Sequence, residues 1–417
     1  MKVVLSSRGS RGDVYPIIEI GAALKRAGLK VSICVPEMFG TRARGKGLKP
    51  LLYSEDSAMV MEEMGSGIGA IKTAIDWFSR AIDEQMEYLL AETADADLLV
   101  TSVNEVAVPT VAEYRDIPHY RIAYTPVLPG YHPPPLIPWQ RLPRIANRGL
   151  WNAVNAMTGF MFRKHINGAR RKLGMAGMGG VNDYFTGRSH TILAINPVLA
   201  PPCRTWRRNY DYSYTGYCYG DIDGGLGPDL ARFLEDGPPP VYIGFGSVSV
   251  DDSAAFTRVI LEAVKRARCR AVLGTGWTGL GNMELPPEIF PVGDSNHATL
   301  FRFCAGAAHH GGSGTTHTAA RAGVPQFIMP QIADQFYWGH RVHRLGLGPA
   351  PVPPRRISAG KLARALSEMI ENRAYAENAR ALGEEMKHED GVPGVVDIVT
   401  GRGIGAELSV GAGGMSR

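Results

Sequence analysis

Cysteine is scarce in this chain: five residues among 417, at positions 34, 203, 218, 269 and 304, with no C-x-x-C pair. That scatter offers no disulfide framework and reads as a reduced, cytoplasmic protein. The sequence also lacks any run of about 18 apolar residues, which excludes a membrane-spanning helix. Its opening, MKVVLSSRG, has too short an apolar run for a signal peptide. Excess charge is small: 45 Lys and Arg against 40 Asp and Glu, a net of +5. Mild basicity suits an anionic ligand, or peripheral contact with a membrane surface. No basic stripe interleaved with aromatics is present, so nucleic acid is not an expected partner. What the chain does have is length enough for two domains and an abundance of glycine, 50 residues.

The glycines concentrate where the chain is most informative, Cys304–Gly348. Ala305–Ala308 reads as the end of a buried strand and His309–Thr316 as a Gly-rich turn. Thr316–Ala322 is helical in composition and stops at Gly323. Gln326–Pro330 reads as another strand, followed by a loop carrying Ala333, Asp334 and Gln335. A strand, a Gly-rich turn and a helix N-terminus make an anion site, because the first helical N–H groups lack intrahelical partners and the helix dipole adds positive charge. Gly311, Gly312 and Gly314 allow close approach of an oxyanion, and Ser313, Thr315 and Thr316 can cap the helix or bond a phosphate. No Lys follows the glycines, so the turn is not a Walker-type loop.

The rest of the chain organises around this stretch. Lys2–Ser7 reads as a buried strand, Pro16–Ala27 as an amphipathic helix and Val31–Val35 as a second strand, a βαβ unit and hence a parallel sheet. Its first loop, Gly9–Asp13, falls at the carboxyl edge where such sheets bind ligands. Residues 55–92 are helical and rich in Met and aromatics, including Met59, Met61, Met64 and Trp77, which suits an apolar ligand. His119 and His132 fall near the expected carboxyl edge and are alternative bases. Between Pro126 and Pro143 lie seven prolines with Tyr131 and Trp139, an irregular loop that reads as a wall of a pocket. Leu150, Val154, Met157 and Met161 mark one apolar face of the helix that follows. A Gly- and Pro-rich linker between about 217 and 240 separates two domains, 1–220 and 238–390. In the second, Val241–Phe245, Ala254–Ala267 and Ala271–Gly274 repeat the strand–helix–strand logic. Asp221 and Asp223 form a D-x-D in the linker, and His309, His310 and His317 lack metal-ligand companions, so no metal site is expected.

Several segments together, HHGGSGTT, RAGVPQ, P-x-x-x-DQ and WG-x-RV-x-x-LG-x-GP, resemble the donor-binding signature of GT-B fold UDP-glycosyltransferases. DQFYWGHRV and GLGPAPVP look most like the sterol glucosyltransferase branch and its bacterial antibiotic and glycolipid relatives. GSRGDV-x-P resembles the segment that opens the family's acceptor domain. The resemblance implies two Rossmann-like α/β domains facing across a cleft, the first for an apolar hydroxylated acceptor and the second for a nucleotide sugar. Residues 391–417 would form a tail crossing back to the first domain, with Val395–Val399 as its helix. It further implies inverting, metal-independent transfer of a hexose, glucose favoured, from a UDP- or dTDP-sugar as co-substrate, with no separate cofactor. Asp13 matches the general base, a carboxylate able to take the acceptor hydroxyl's proton. Ser247, His310, Gly312, Gly314 and Thr315 match diphosphate contacts. Asp334 and Gln335 match contacts to sugar hydroxyls, and Trp338 either packs beneath the sugar or fills the core. Val292, Asn296 and His297 match the nucleotide-base region, without the stacking Trp of plant members. Trp77, His119, Tyr131 and His132 are the acceptor-pocket candidates. A sugar-nucleotide epimerase of the same fold, or a non-catalytic auxiliary partner, remains the alternative.

Overall fold

The computed structural model describes residues 1–53, 68–220, 225–245, 252–276 and 279–402, with side chains of the helix Ile68–Glu92 described from Ser79 onward. Two parallel sheets organise these residues, the α/β architecture expected. The first has seven strands, β1 (Lys2–Ser6), β2 (Lys30–Pro36), β3 (Pro50–Tyr53), β4 (Leu98–Ser102), β5 (His119–Ala123), β6 (Ser189–Leu193) and β7 (Tyr212–Tyr214), ordered β3-β2-β1-β4-β5-β6-β7. The second has five, β8 (Val241–Gly244), β9 (Ala271–Gly274), β10 (Ile289–Val292), β11 (Gly306–His309) and β12 (Gln326–Ile328), ordered β10-β9-β8-β11-β12. The order reverses beside β1 and beside β8, and the loops at those strands' carboxyl ends are where parallel sheets hold ligands.

The strands are short unbroken apolar runs because helices cover both sheet faces. Val3, Val4 and Leu5 are wholly buried, with Val3 in register with Val31 on one side and Leu98 on the other. The first helix runs from Arg11 to Arg26, five residues longer at its start than the expected Pro16–Ala27. Ser10 and Asp13 form a capping box that fixes this earlier start, and Pro16 is accommodated inside the helix. The long helix Arg144–Lys172 corrects another expectation. Its buried side is set by Trp151, Phe162 and Ile166, and Met157 points outward at 54% exposure. Phe162 and Ile166 pack with Ile82, Met86 and Leu89 of the helix Ile68–Glu92, and that pairing selects the face.

The two sheets are tied by specific contacts. Ser313 Oγ donates to the Tyr124 carbonyl at 2.7 Å, the Asn196 N–H donates to His317 Nε2 at 3.2 Å, and Arg341 Nε donates to the Leu199 carbonyl at 2.7 Å. After the second sheet the chain returns: Val392, Val395 and Val399 of the helix Gly391–Val399 enter the same core as Val14, Ile17 and Ile18 of the first helix.

Candidate active site

The centre of the site is the turn after β11. His309 ends that strand fully buried; its Nε2–H donates to Gln326 Oε1 at 3.0 Å, and its Nδ1 accepts from the Gly311 N–H at 3.1 Å. Burial pushes its pKa down to about 4, so the ring is neutral and this tautomer holds the turn. Gly311 has φ +90°, and a Cβ there would stand 2.5 Å from Ile328 Cγ2, so only glycine fits. The helix then starts at Ser313, three residues before the expected Thr316, with Gly312 as its N-cap. The hydroxyl caps anticipated from the sequence are not used: Ser313 Oγ turns to Tyr124, and Thr316 Oγ1 donates back to the Gly312 carbonyl. No side chain caps the first turn, and Gly312–Thr315 keep partial exposure while Thr316–Ala320 are buried. Helical N–H groups with no cap beside an exposed edge form a ready anion site. His310 closes over it; a Cβ on Gly312 would lie 2.5 Å from His310 Nε2. The His310 Nδ1 is buried without a partner. Burial first, then His309 and His297, push this imidazole down to about 3, so it too is neutral.

Asp334 stands at the head of the helix Gln335–Arg344, and Trp338 Nε1–H donates to its Oδ2 at 2.8 Å. Trp338 is wholly buried, which fits the second of its two expected roles, filling the core, and its indole holds Asp334. Gln335 is buried too, its Oε1 accepting the Gln331 and Ile332 N–H groups at 2.8 and 3.2 Å, so only its NH2 is left to face a ligand. The Asp334 carboxyl is pushed up to about 7, by burial first and also by the negative charge of Asp13, with the Trp338 hydrogen bond opposing.

Asp13, whose negative charge acts on Asp334, belongs to the first domain. Its Oδ2 accepts from Ser10 N–H at 2.9 Å and Ser10 Oγ at 3.0 Å, and the Asn104 amide, which donates to the Arg8 carbonyl at 3.3 Å, also favours its charged form. Burial raises its pKa and these bonds oppose the rise. Gly9, at φ +119°, brings the backbone so close that a Cβ would lie 2.4 Å from Asp13 Oδ2. The neighbouring arginines are engaged elsewhere: Arg8 pairs with Glu84, and Arg11 Nη2 meets Asp294 Oδ2 at 2.8 Å across the cleft. Asp13 is thus a helix-capping carboxylate and a cleft carboxylate at once. Ser10, Asn104 and Tyr124 complete its surroundings and were not anticipated. The S-x-x-D spacing of Ser10 and Asp13 signals a capping box. Asn104 and Tyr124 carry no local signal beyond following β4 and β5. The Tyr124 hydroxyl is buried without a partner and feels the Asp13 charge.

Other expected residues scatter. His119 corrects its assignment as a base near the carboxyl edge: it opens β5 at the amino end, buried, with Nε2 on Thr101 Oγ1 and Nδ1 on Ser189 Oγ, both at 2.9 Å. Tyr131 is 47% exposed, and His132 Nε2–H donates to the Pro126 carbonyl at 3.1 Å between Trp151 and Trp206. Val292 ends β10, Asn296 caps the helix His297–Leu300 through Thr299 N, and His297 stacks on Phe301 at 4.9 Å. His317 donates from Nδ1 to the Ser313 carbonyl and stacks on Tyr217. Ser247, Asp221, Asp223 and Met59 to Met64 lie outside the described residues, as does the side chain of Trp77. No helix among the described residues is long and apolar enough to cross a membrane.

Comparison with known proteins gives this geometry a lineage. Residues 278–400 match the family model described as "Erythromycin biosynthesis protein CIII-like, C-terminal domain". A vancomycin aglycone glucosyltransferase of Amycolatopsis orientalis is 33% identical over 90% of this chain and 93% of its own. A sterol 3-beta-glucosyltransferase of Arabidopsis thaliana is 31% identical over 95% of this chain and 67% of its own. Among solved structures, the glycotransferase of kitacinnamycin superposes with TM-score 0.74 at 17% identity, covering 96% of this chain and 98% of that one, a likeness of fold. The SnogD glycosyltransferase of Streptomyces nogalater gives 0.68 at 19% identity, covering 97% and 99%. The chain belongs to the GT-B glycosyltransferase family, related to the sterol glucosyltransferases and the antibiotic glycosyltransferases.

Proposed function

We propose that this chain transfers a hexose, with inversion and without a metal, from a nucleoside-diphosphate sugar to a hydroxyl of an apolar acceptor. UDP-glucose is the favoured donor, and sterols, polyketides, flavonoids and glycolipids are the acceptor types considered. The observation that carries this reading is the uncapped helix N-terminus at Gly312–Thr315, where Gly311 packs against the Gln335 backbone and Ser313 bonds the Tyr124 carbonyl of the first domain. In this reading Asp13, the helix N-terminus and Asp334 serve one cleft between the two domains.

In this mechanism Asp13 takes the proton from the acceptor hydroxyl as its oxygen attacks the anomeric carbon. The bond from that carbon to the diphosphate breaks on the opposite face, so a single displacement inverts the centre. The leaving diphosphate gains negative charge, which the N–H groups of Gly314 and Thr315, the dipole of their helix and His310 stabilise. Asp334 accepts from sugar hydroxyls and the Gln335 amide donates to them. Ser247 is a further proposed diphosphate contact, and Val292, Asn296 and His297 the proposed surroundings of the base. The names of the relatives, a sterol 3-beta-glucosyltransferase and a vancomycin aglycone glucosyltransferase, support glucose and a bulky hydroxylated acceptor.

The test is to incubate the purified chain with UDP-glucose or dTDP-glucose and a panel of apolar hydroxylated acceptors, read by mass spectrometry. An acceptor mass increased by one hexose, formed only with donor present, is the expected result. Conversion of the donor to an epimer without acceptor, or no product from any pair, contradicts the reading.

A further inference from the structure

From Ile117 to Asn182 the sequence contains no Asp or Glu, yet it carries nine Lys and Arg. The same segment concentrates exposed apolar surface. Of thirteen large hydrophobic side chains standing exposed among the described residues, seven lie between Tyr131 and Phe160. Trp139 is 64% exposed, Ile145 86% and Phe160 80%. Single exposed apolar side chains are ordinary, but a concentration of them marks an interaction surface.

Helical geometry aligns these residues. In the helix Arg144–Lys172 the exposed positions Ile145, Gly149, Ala153, Ala156, Phe160 and Lys164 recur at spacings of three and four and therefore share one face. Trp151, Phe162 and Ile166 occupy the buried side. An outward face is normally charged or polar; between Arg148 and Phe160 this one carries Asn152 as its one exposed polar side chain, and it ends in Arg163 and Lys164. Arg144 and Arg148 stand exposed at its start, Arg171 and Lys172 at its end, and none of the four has a carboxylate partner among the described residues. An apolar strip with cations at its margins and no acidic residue matches a bilayer whose headgroups are anionic.

We infer that this face, formed by the loop 126–143 and the outer side of the helix Arg144–Lys172, docks on an anionic lipid membrane. The apolar strip enters the headgroup region while the arginines and lysines meet lipid phosphates. With no spanning helix among the described residues, the contact is peripheral and reversible.

Cosedimentation of the full chain with vesicles tests it, comparing phosphatidylcholine alone with phosphatidylcholine containing about 30% phosphatidylglycerol. The expected result is partition onto the anionic vesicles that weakens as salt is raised. Ile145→Asp/Phe160→Asp should reduce that partition about tenfold or more, and Arg144→Gln/Arg148→Gln should reduce it while flattening the salt dependence. Unchanged melting temperature and unchanged quenching of tryptophan fluorescence by UDP show that each variant is folded; the arginine pair serves if the aspartates disturb folding. Equal binding to neutral vesicles, no binding to either, or variants that bind as the parent does overturns the proposal. So does a dimer by light scattering that Phe160→Asp splits, because a second copy then covers the face.

Discussion

Trp338 Nε1 and Asp334 Oδ2 lie 2.8 Å apart, and the indole that donates this bond is wholly buried. The tryptophan therefore acts on a ligand only through the carboxylate it holds. Trp338→Phe keeps an aromatic ring in the core, removes the N–H and leaves a small gap where the second ring stood. The expected outcome is a donor KM raised about tenfold, the scale of a hydrogen bond to a charged group, with kcat changed much less. Steady-state kinetics at varied UDP-glucose checks this split.

His310 is neutral and has a free buried Nδ1, so it can donate or accept toward a diphosphate without first losing a proton. His310→Ala should lower turnover about 10²-fold, the scale of removing one group that stabilises a leaving oxyanion. Unchanged turnover and donor affinity would place the diphosphate elsewhere.

Three wholly or nearly buried histidines make the fold sensitive to acid. Burial holds His119 down to about 3, and His309 and His317 down to about 4, against an unfolded value of 6.5. In each, the neutral form is favoured by folding, so stability is full above pH 6.5. As pH falls from 6.5 toward 4 the unfolded chain binds protons that the folded chain does not. Each histidine then costs about 1.4 kcal/mol per pH unit. Urea midpoints measured between pH 7.5 and 5 should fall steadily; flat midpoints would contradict this.

The helix Gly391–Val399 returns to the first domain, with Val395 wholly buried in its core. Val395→Ala should cost about 2 kcal/mol of stability, read by urea denaturation, with the cleft residues untouched.

Much of this architecture was legible because parallel strands are short apolar runs closed by glycine, and the runs at Lys2–Ser6, Val241–Gly244 and Gly306–His309 are of that kind. The anion turn was legible too, since HHGGSG-T-T places glycines where a helix must start. Its hydroxyls do not cap the helix: Ser313 serves the distant Tyr124 carbonyl, a partner 189 residues away that no local pattern reveals. The apolar face of Arg144–Lys172 was misassigned for the same reason. Both its faces carry apolar residues, and only packing against Ile82, Met86 and Leu89 selects between them. His119 shows the limit at single residues. A histidine opening a strand looks the same in sequence whether it faces a ligand or is bonded by Thr101 and Ser189.

Asp13 is the proposed base. Two bonds from Ser10 hold its carboxylate, and burial raises its proton affinity, a direction that favours proton uptake at neutral pH. The decisive measurement is kcat of Asp13→Asn with UDP-glucose and an accepted acceptor, alongside UDP affinity by titration. A fall in kcat of about 10²-fold or more, with UDP affinity kept, is the predicted result. Turnover close to that of the parent would contradict the assignment.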